Sequence, residues 1–322
     1  MILILTYREY EQSTDPVVDW LLYRGASFVK IFMEDLVNNS NGYRIDVNNK
    51  KIYFKEEEIT HKINVVFFRR FEKNIHFKSE FNLGQINKKI NRESNGELKD
   101  FFNYLLYILN DKIWFPHYSN LKVNKLEMLN EAQEAGLLVP PSIITNSKEE
   151  LINFKTKNGE IIYKPIRQIS YYTFGNYTYS PYTTEIDDEK VEKLNDYFFP
   201  SLFQAKINRS YEIRCFYLEG KIYASAILVG SEIDDVDIKL NFNSTTTKWV
   251  NYILPSEINQ KIVRFMNLVG LNTGSIDLIK TSDNQYYFIE VNPVGQYFAP
   301  SVNCNYYIEK KIADWLINND SK

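Results

Sequence analysis

The sequence predicts an α/β (α+β) protein of several lobes, and three observations lead there. Strand-like and helical runs alternate through the first 118 residues, strands dominate from residue 201, and the last hairpin gathers polar side chains on one strand face. With 322 residues the chain is long enough for two or three cores, at about 100 to 200 residues per domain.

MILILT reads as a first buried strand; it lacks a basic n-region and its apolar run is too short for a signal peptide. DPVVDWLLYRG is helical, SFVKIF and NVVFFRR are strands, and ELKDFFNYLLYILND is a helix, the pattern of a small α/β unit with no Gly-rich dinucleotide fingerprint. In NKLEMLNEAQEAGLLVPPS the apolar positions 126, 129, 132 and 135 keep a helical period. Gly136 stops that helix, and Pro140 and Pro141 open an extended segment. GEIIYKPI and SLFQAKI are strands, EIRCFYLEGKIYASAILV is two strands turning at Glu219-Gly220, and a helix covers about 256 to 269. GSIDLIKTS and YYFIEVN form a hairpin turning at Asp283-Asn284, and a helix around 305 to 318 closes the chain.

Composition removes several function classes. A net charge of −3 with 25% charged residues gives neither a nucleic-acid footprint nor a polybasic membrane anchor, and no stretch approaches membrane-spanning length. Cys215 and Cys304 lie far apart and suggest reduced thiols in a cytoplasm; His61, His76 and His117 fall into no ligand motif. The 24 Tyr and 21 Phe are chiefly core and sheet-face residues, although tyrosines also line peptide grooves.

Chemistry concentrates in the last hairpin. Alternation puts Glu290 and Asn292 on one face, and the two-residue turn sets Asp277 opposite Glu290. Two carboxylates and an amide, with no Cys or His nearby, suit Mg²⁺ or Mn²⁺ rather than zinc, and Mg²⁺ held by so few carboxylates usually carries substrate phosphates, which points to ATP. The alternative is a polar hairpin face in water. Lys164, in an otherwise apolar strand, calls for an anion.

Taken in order, Lys125 in NKLEMLNEAQEAGLLVP, Lys164 in IIYKPI, FQAKI at 203 to 207, YEIR at 211 to 214, DIKLN at 237 to 241, SIDLI with Asp277, and FIEVNP resemble the ATP-grasp superfamily. More narrowly, the closing EVNPVGQ is similar to that of the ATP-grasp ribosomal peptide maturases, the microviridin-type and grasp-with-spasm ligases that make graspetides. The resemblance runs from about residue 120 to the end, and the amino-terminal lobe fits in length and in its FFRR strand. It implies an ATP-grasp fold with a pre-ATP-grasp α/β domain at 1–118, a central subdomain at 119–200, and a C-terminal subdomain with the metal site at 201–322, ATP lying between the latter two.

The resemblance further implies an ADP-forming ligase that activates Asp or Glu side chains of a ribosomal precursor peptide, with leader and core, and closes ω-esters to Thr or Ser or ω-amides to Lys. Lys125 and Lys164 would contact ATP phosphates; Gln204, Lys206 and Ile207 would read adenine through the backbone; Glu212 would bind ribose hydroxyls. Arg214, Lys239 and Asn241 would serve the activated carboxyl and the phosphates, while Asp277, Glu290 and Asn292 would hold two Mg²⁺ ions. A plain Glu212–Arg214 ion pair is the alternative for those two residues. Within EIDDVD (232 to 237), Asp234, Asp235 and Asp237 are candidates for pairing with a basic leader residue, against the reading of a solvated acidic loop. A homodimer is compatible with this reading. Two positions depart from the family pattern, Ala205 in the hinge and Lys239 in DIKLN, and the loop after Lys164 contains a single Gly. Other expectations are an enzyme that appends an amino acid such as glutamate to a protein tail, and a non-catalytic nucleotide-dependent peptide-binding module.

Overall fold

Every residue of MILILT from Ile2 onward is buried in β1 (Ile2–Thr6), the centre of a parallel sheet covered on both faces. The computed structural model describes residues 1–7, 10–38, 42–71, 84–167, 172–175, 177–179, 183–229 and 247–321, and the chain divides into two units, one of residues 1–121 with 307–322, the other of 122–306.

In the first unit β1 is joined by β2 (Phe28–Phe32), β3 (Val65–Phe68) and β4 (Ile113–Phe115) in the order β2-β1-β3-β4, all parallel. Helix α1 (Asp15–Tyr23) follows β1, with a proline in its first turn where no backbone N–H is needed. Helix α2 (Gln85–Ile108) presents Phe102, Leu105 and Leu106 to Leu3, Leu5, Val66 and Phe68. A small antiparallel sheet of Arg44–Asp46, Lys51–Phe54 and Glu57–Glu58 completes this core.

The closing helix, Ile308–Asp320, belongs to this first unit and not to the 201–322 lobe the sequence suggested. Its buried stripe of Ile308, Ile312, Ala313 and Leu316 needs a partner, and local sequence does not say which. Trp315 packs against Phe115 with ring centroids 4.8 Å apart, and Asn64 donates to Asp320 at 2.9 Å.

The second unit opens with α3 (Lys125–Glu134), capped by Asn124, whose side chain accepts from Leu126 N at 3.0 Å. Strand β5 (Ser142–Ser147), helix α4 (Lys148–Asn158), β6 (Ile161–Lys164) and β7 (Tyr197–Ala205) follow. The three strands form an antiparallel sheet with Thr184–Glu185 at its edge, in the order Thr184–Glu185, β6, β7, β5. One face packs Ile161 and Phe203 against Leu151 and Val191; registry puts Lys164 with Leu202, and Ile162 with Gln204, on the other.

A second antiparallel sheet holds β8 (Tyr211–Leu218), β9 (Lys221–Leu228), β10 (Lys248–Tyr252), β11 (Thr273–Lys280) and β12 (Tyr286–Asn292), in the order β10-β9-β8-β11-β12. Leu218 pairs with Lys221, so the β8–β9 turn is the expected Glu219-Gly220, both left-handed at φ +40° and +86°. Helices α3 and α5 (Ser256–Leu268) cover one face, setting Leu129, Ala132, Ile262, Phe265 and Met266 against Ile213, Cys215, Ile276, Leu278 and Phe288. The opposite face carries Arg214 and Asp277 alongside Phe216, which packs on Tyr297.

The last hairpin differs from expectation in two ways. Thr281 N donates to Gln285 O at 3.1 Å and Asn284 takes φ +63°, so the loop is Ser282-Asp283-Asn284 instead of a two-residue turn. Asn284 tolerates the left-handed backbone, and the Thr281 hydroxyl accepts from Gln285 N at 3.0 Å, which closes the longer turn. The register therefore starts one residue off, pairing Lys280 with Tyr286 and Leu278 with Phe288. A bulge at Ile289 then restores Asp277 opposite Glu290 and Ser275 opposite Asn292.

Beyond β12, Gly295 takes φ +71°, and a Cβ there would lie 2.9 Å from Cε2 of the buried Phe216 ring, itself packed on Tyr297. Gly295→Ala should destabilise the fold by about 1–3 kcal/mol, combining left-handed strain with overpacking. A lowered denaturant midpoint at unchanged slope would show it; an unchanged midpoint would refute the close approach.

Candidate active site

Side chains that share a face across adjacent strands build the site. Arg214 of β8 lies opposite Asp277 of β11, which lies opposite Glu290 of β12, so alternation delivers all three to the face that α3 and α5 leave uncovered. Arg214 is 5% exposed and grips Asp277 in a fork, Nε donating to Oδ1 at 2.8 Å and Nη2 to Oδ2 at 2.9 Å. Burial opposes its charge, yet the attraction of Asp277 first, then of Glu290 and Glu212, holds its pKa above the ordinary arginine value.

Around this pair stand the other candidates. Lys125, in the first turn of α3, brings Nζ to 3.8 Å from Glu290 Oε2. Asn292 Oδ1 accepts from Val294 N at 3.2 Å, fixing the amide at the turn after β12. Ser275, paired with Asn292, is buried with a hydroxyl that has no hydrogen-bond partner among the described residues. Among the described residues no three His, Cys, Asp or Glu side chains form a metal cluster. Glu290, Asn292 and Asp277 nevertheless offer hard oxygen donors along one hairpin face, a donor set that fits Mg²⁺ better than a softer ion.

Glu212 lies 3.6 Å from Arg209 and also attracts Arg214, whose two-point partner is Asp277, so a simple Glu212–Arg214 pair does not describe the arrangement. Residues 204 to 207, expected to read adenine, lie at the end of β7 and just beyond it. Gln204 is buried and donates from Nε2 to Ser142 Oγ at 2.8 Å, while Lys206 N donates to Glu160 O at 2.8 Å. Ile207 makes no backbone–backbone hydrogen bond among the described residues. The Lys206 ammonium is clamped by Glu185 at 2.8 Å and Glu160 at 3.2 Å; the Glu185 hydrogen bond, outweighing burial, raises its pKa. Lys164 ends β6, half-buried on the face of Gln204.

Lys239 and Asn241, and the candidate leader contacts Asp234, Asp235 and Asp237, lie outside the described residues. Sequence reasoning missed the Arg214–Asp277 fork and the Lys206 clamp. The first could have been found by pairing β8 with β11; Glu160 and Glu185 carry no local signal. Cys215, on the other face, is fully buried and its thiol pKa is pushed up by burial, so it supplies no nucleophile.

No protein-family model and no curated protein matches the chain by sequence. Solved structures match along its whole length. A RiPP-associated ATP-grasp ligase of Chryseobacterium gregarium, solved with ADP and a leader and core peptide, superposes at a TM-score of 0.82 with 23% identity, covering 98% of this chain and 96% of that one. The fold is that of the ATP-grasp ligases. The macrocyclase MdnC of Microcystis aeruginosa MRC, bound to precursor peptide MdnA, shares this ATP-grasp fold at a TM-score of 0.79 with 22% identity over 99% of each chain. The ATP-grasp ligase PsnB, with a precursor variant, Mg and ADP, does so at 0.78 with 17% identity over 100% of this chain and 98% of that one.

The fork makes a stability prediction. Asp277→Asn leaves the Arg214 charge buried without its counter-charge and should destabilise the ATP-grasp fold by about 3 kcal/mol, measured by denaturation. The double variant Arg214→Met/Asp277→Leu should recover much of that loss. A single variant as stable as the parent would contradict the pairing.

Proposed function

We propose that the protein is an ADP-forming ATP-grasp ligase that activates Asp or Glu side chains of a ribosomal precursor peptide and closes ω-ester or ω-amide rings. The observation that carries this reading is the Arg214–Asp277–Glu290 row, with Asn292 and Lys125 beside it, on the sheet face opposite α3 and α5. The full-length likeness to peptide-bound ATP-grasp ligases supports the choice of a peptide substrate.

In this reading Lys125 and Lys164 bind ATP phosphates as point charges, the Ile207 backbone and the Lys206 carbonyl read adenine, and Glu212 accepts from ribose hydroxyls. Glu290, Asn292 and Asp277 hold Mg²⁺, which when bound neutralises phosphate charge. Asp277 fixes the plane of the Arg214 guanidinium, so that it meets the peptide carboxylate in one orientation while that carboxylate attacks the γ-phosphate. ADP leaves with its electron pair and an acyl phosphate remains on the peptide. A Thr or Ser hydroxyl, or a Lys amine, then attacks the acyl carbon and expels phosphate, losing its proton as the ring closes. Lys239 and Asn241 are assigned to the phosphates on the resemblance alone, and Asp234, Asp235 and Asp237 to a basic leader residue on the acidity of their run.

The test is incubation with ATP, Mg²⁺ and a short Thr- and Asp/Glu-rich peptide encoded beside the gene, reading ADP release and loss of one water per ring. Glu290→Ala should abolish product while the protein stays folded. Arg214→Lys should lower kcat by about 100-fold or more with little change in the KM for ATP, since an ammonium cannot replace a fixed fork. ADP release with an added amino-acid mass would favour the tail-modifying ligase, and nucleotide binding without turnover the non-catalytic module; either sinks the cyclase reading.

A further inference from the structure

The FFRR run has no part in the site described above. It ends in the first unit at a place where parallel α/β sheets bind ligands. From β1 the chain pairs β2 on one side and β3 on the other, so the strand order reverses at β1, and the carboxyl ends of β1 and β3 are the switch point at which open parallel sheets bind ligands. Arg69 and Arg70 follow β3 directly, and Glu11, Ser13 and Thr14 lead from β1 into α1.

These residues form a built polar network. Arg69 is 2% exposed and its Nη2 donates to Ser13 Oγ. Glu11 is 3% exposed and accepts from Ser13 Oγ and Thr14 Oγ1, each at 2.7 Å, and from Ser13 N at 3.1 Å. Burial works against the Glu11 charge, but Arg69 foremost, with those hydrogen bonds and Arg70, keeps its pKa below the usual carboxylate value. Lys30 of β2 pairs with Asp15 at 2.5 Å.

Arg70 is the unspent member. Its side chain is 45% exposed, its nearest carboxylate oxygen is Glu11 Oε1 at 3.5 Å, and it makes no side-chain hydrogen bond among the described residues. Its backbone sits at φ +50°, strained for a long side chain and of the kind that gathers at ligand sites. Thr6, which ends β1, is fully buried with a hydroxyl that has no partner among the described residues.

We propose that this cluster at the carboxyl ends of β1 and β3 is a second binding site, in which Arg70, backed by the Arg69–Glu11 network, takes a carboxylate in a two-point fork. Its source is an acidic side chain of the peptide substrate, an assignment that rests on the function proposed above. Arg69 is a positioning residue: locked by Glu11 and Ser13, it sets the course of the chain that turns Arg70 outward.

The test is a ligand-observed NMR titration of the full chain at low ionic strength with N-acetylglutamate α-methylamide, its neutral glutamine counterpart, and inorganic phosphate. It requires no turnover, so its outcome is independent of whether the ligase reading survives. The glutamate probe should bind and the glutamine probe should not. Arg70→Asn, which suits the left-handed backbone, should weaken binding by about tenfold at an unchanged melting temperature, and Arg70→Lys by less. Arg70→Gly serves the same purpose should the Asn variant melt early. Equal binding to parent and Arg70→Asn overturns the site, as does loss of binding in Arg214→Lys alone. Phosphate binding more tightly than the glutamate probe overturns the carboxylate assignment.

Discussion

The Arg214–Asp277 fork is the interaction around which the second unit is arranged. A guanidinium in so dry a place is tolerable only because a carboxylate meets it with two hydrogen bonds, and removing either partner would leave the other charge in the same low-dielectric setting. That requirement bears on the whole sheet. Strands β8 and β11 must be adjacent and in register, one face must be sealed by α3 and α5, and Glu290 must arrive on the next strand near enough to feel the same positive charge.

The hairpin shows how much of this was legible in the sequence. Alternation and a turn signal placed Asp277 opposite Glu290, and the structure places them there, but by a different route. A three-residue turn shifts the register by one, and the bulge at Ile289 shifts it back. The burial of Phe288 and Val291, with Glu290 between them more open, records the change of face. Periodicity over a few residues detects which side chains share a face; it does not detect two compensating irregularities, since each is invisible without the partner strand.

What escaped the sequence was long-range in every case. The closing helix was expected where its stripe of apolar residues began and ended, yet the lobe that buries it is more than a hundred residues upstream in the chain. Glu160 and Glu185 look like solvated surface charges until the edge strand Thr184–Glu185 and the residue before β6 bring them to Lys206. Local sequence specified element type and start, as at the Asn124 cap and the Glu219-Gly220 turn, because those depend on backbone chemistry within a few residues.

The contact between Lys125 and Glu290 joins the two halves of the proposed chemistry. A lysine assigned to phosphates and a carboxylate assigned to a metal stand 3.8 Å apart, long for a hydrogen bond and close enough for charge attraction. Both are partly exposed, so water screens the pair and its own contribution to stability is small. In the proposed chemistry an anionic phosphate with its cation would offer each group a stronger partner than the other. Behind this partly exposed pair the buried Arg214–Asp277 fork stays fixed.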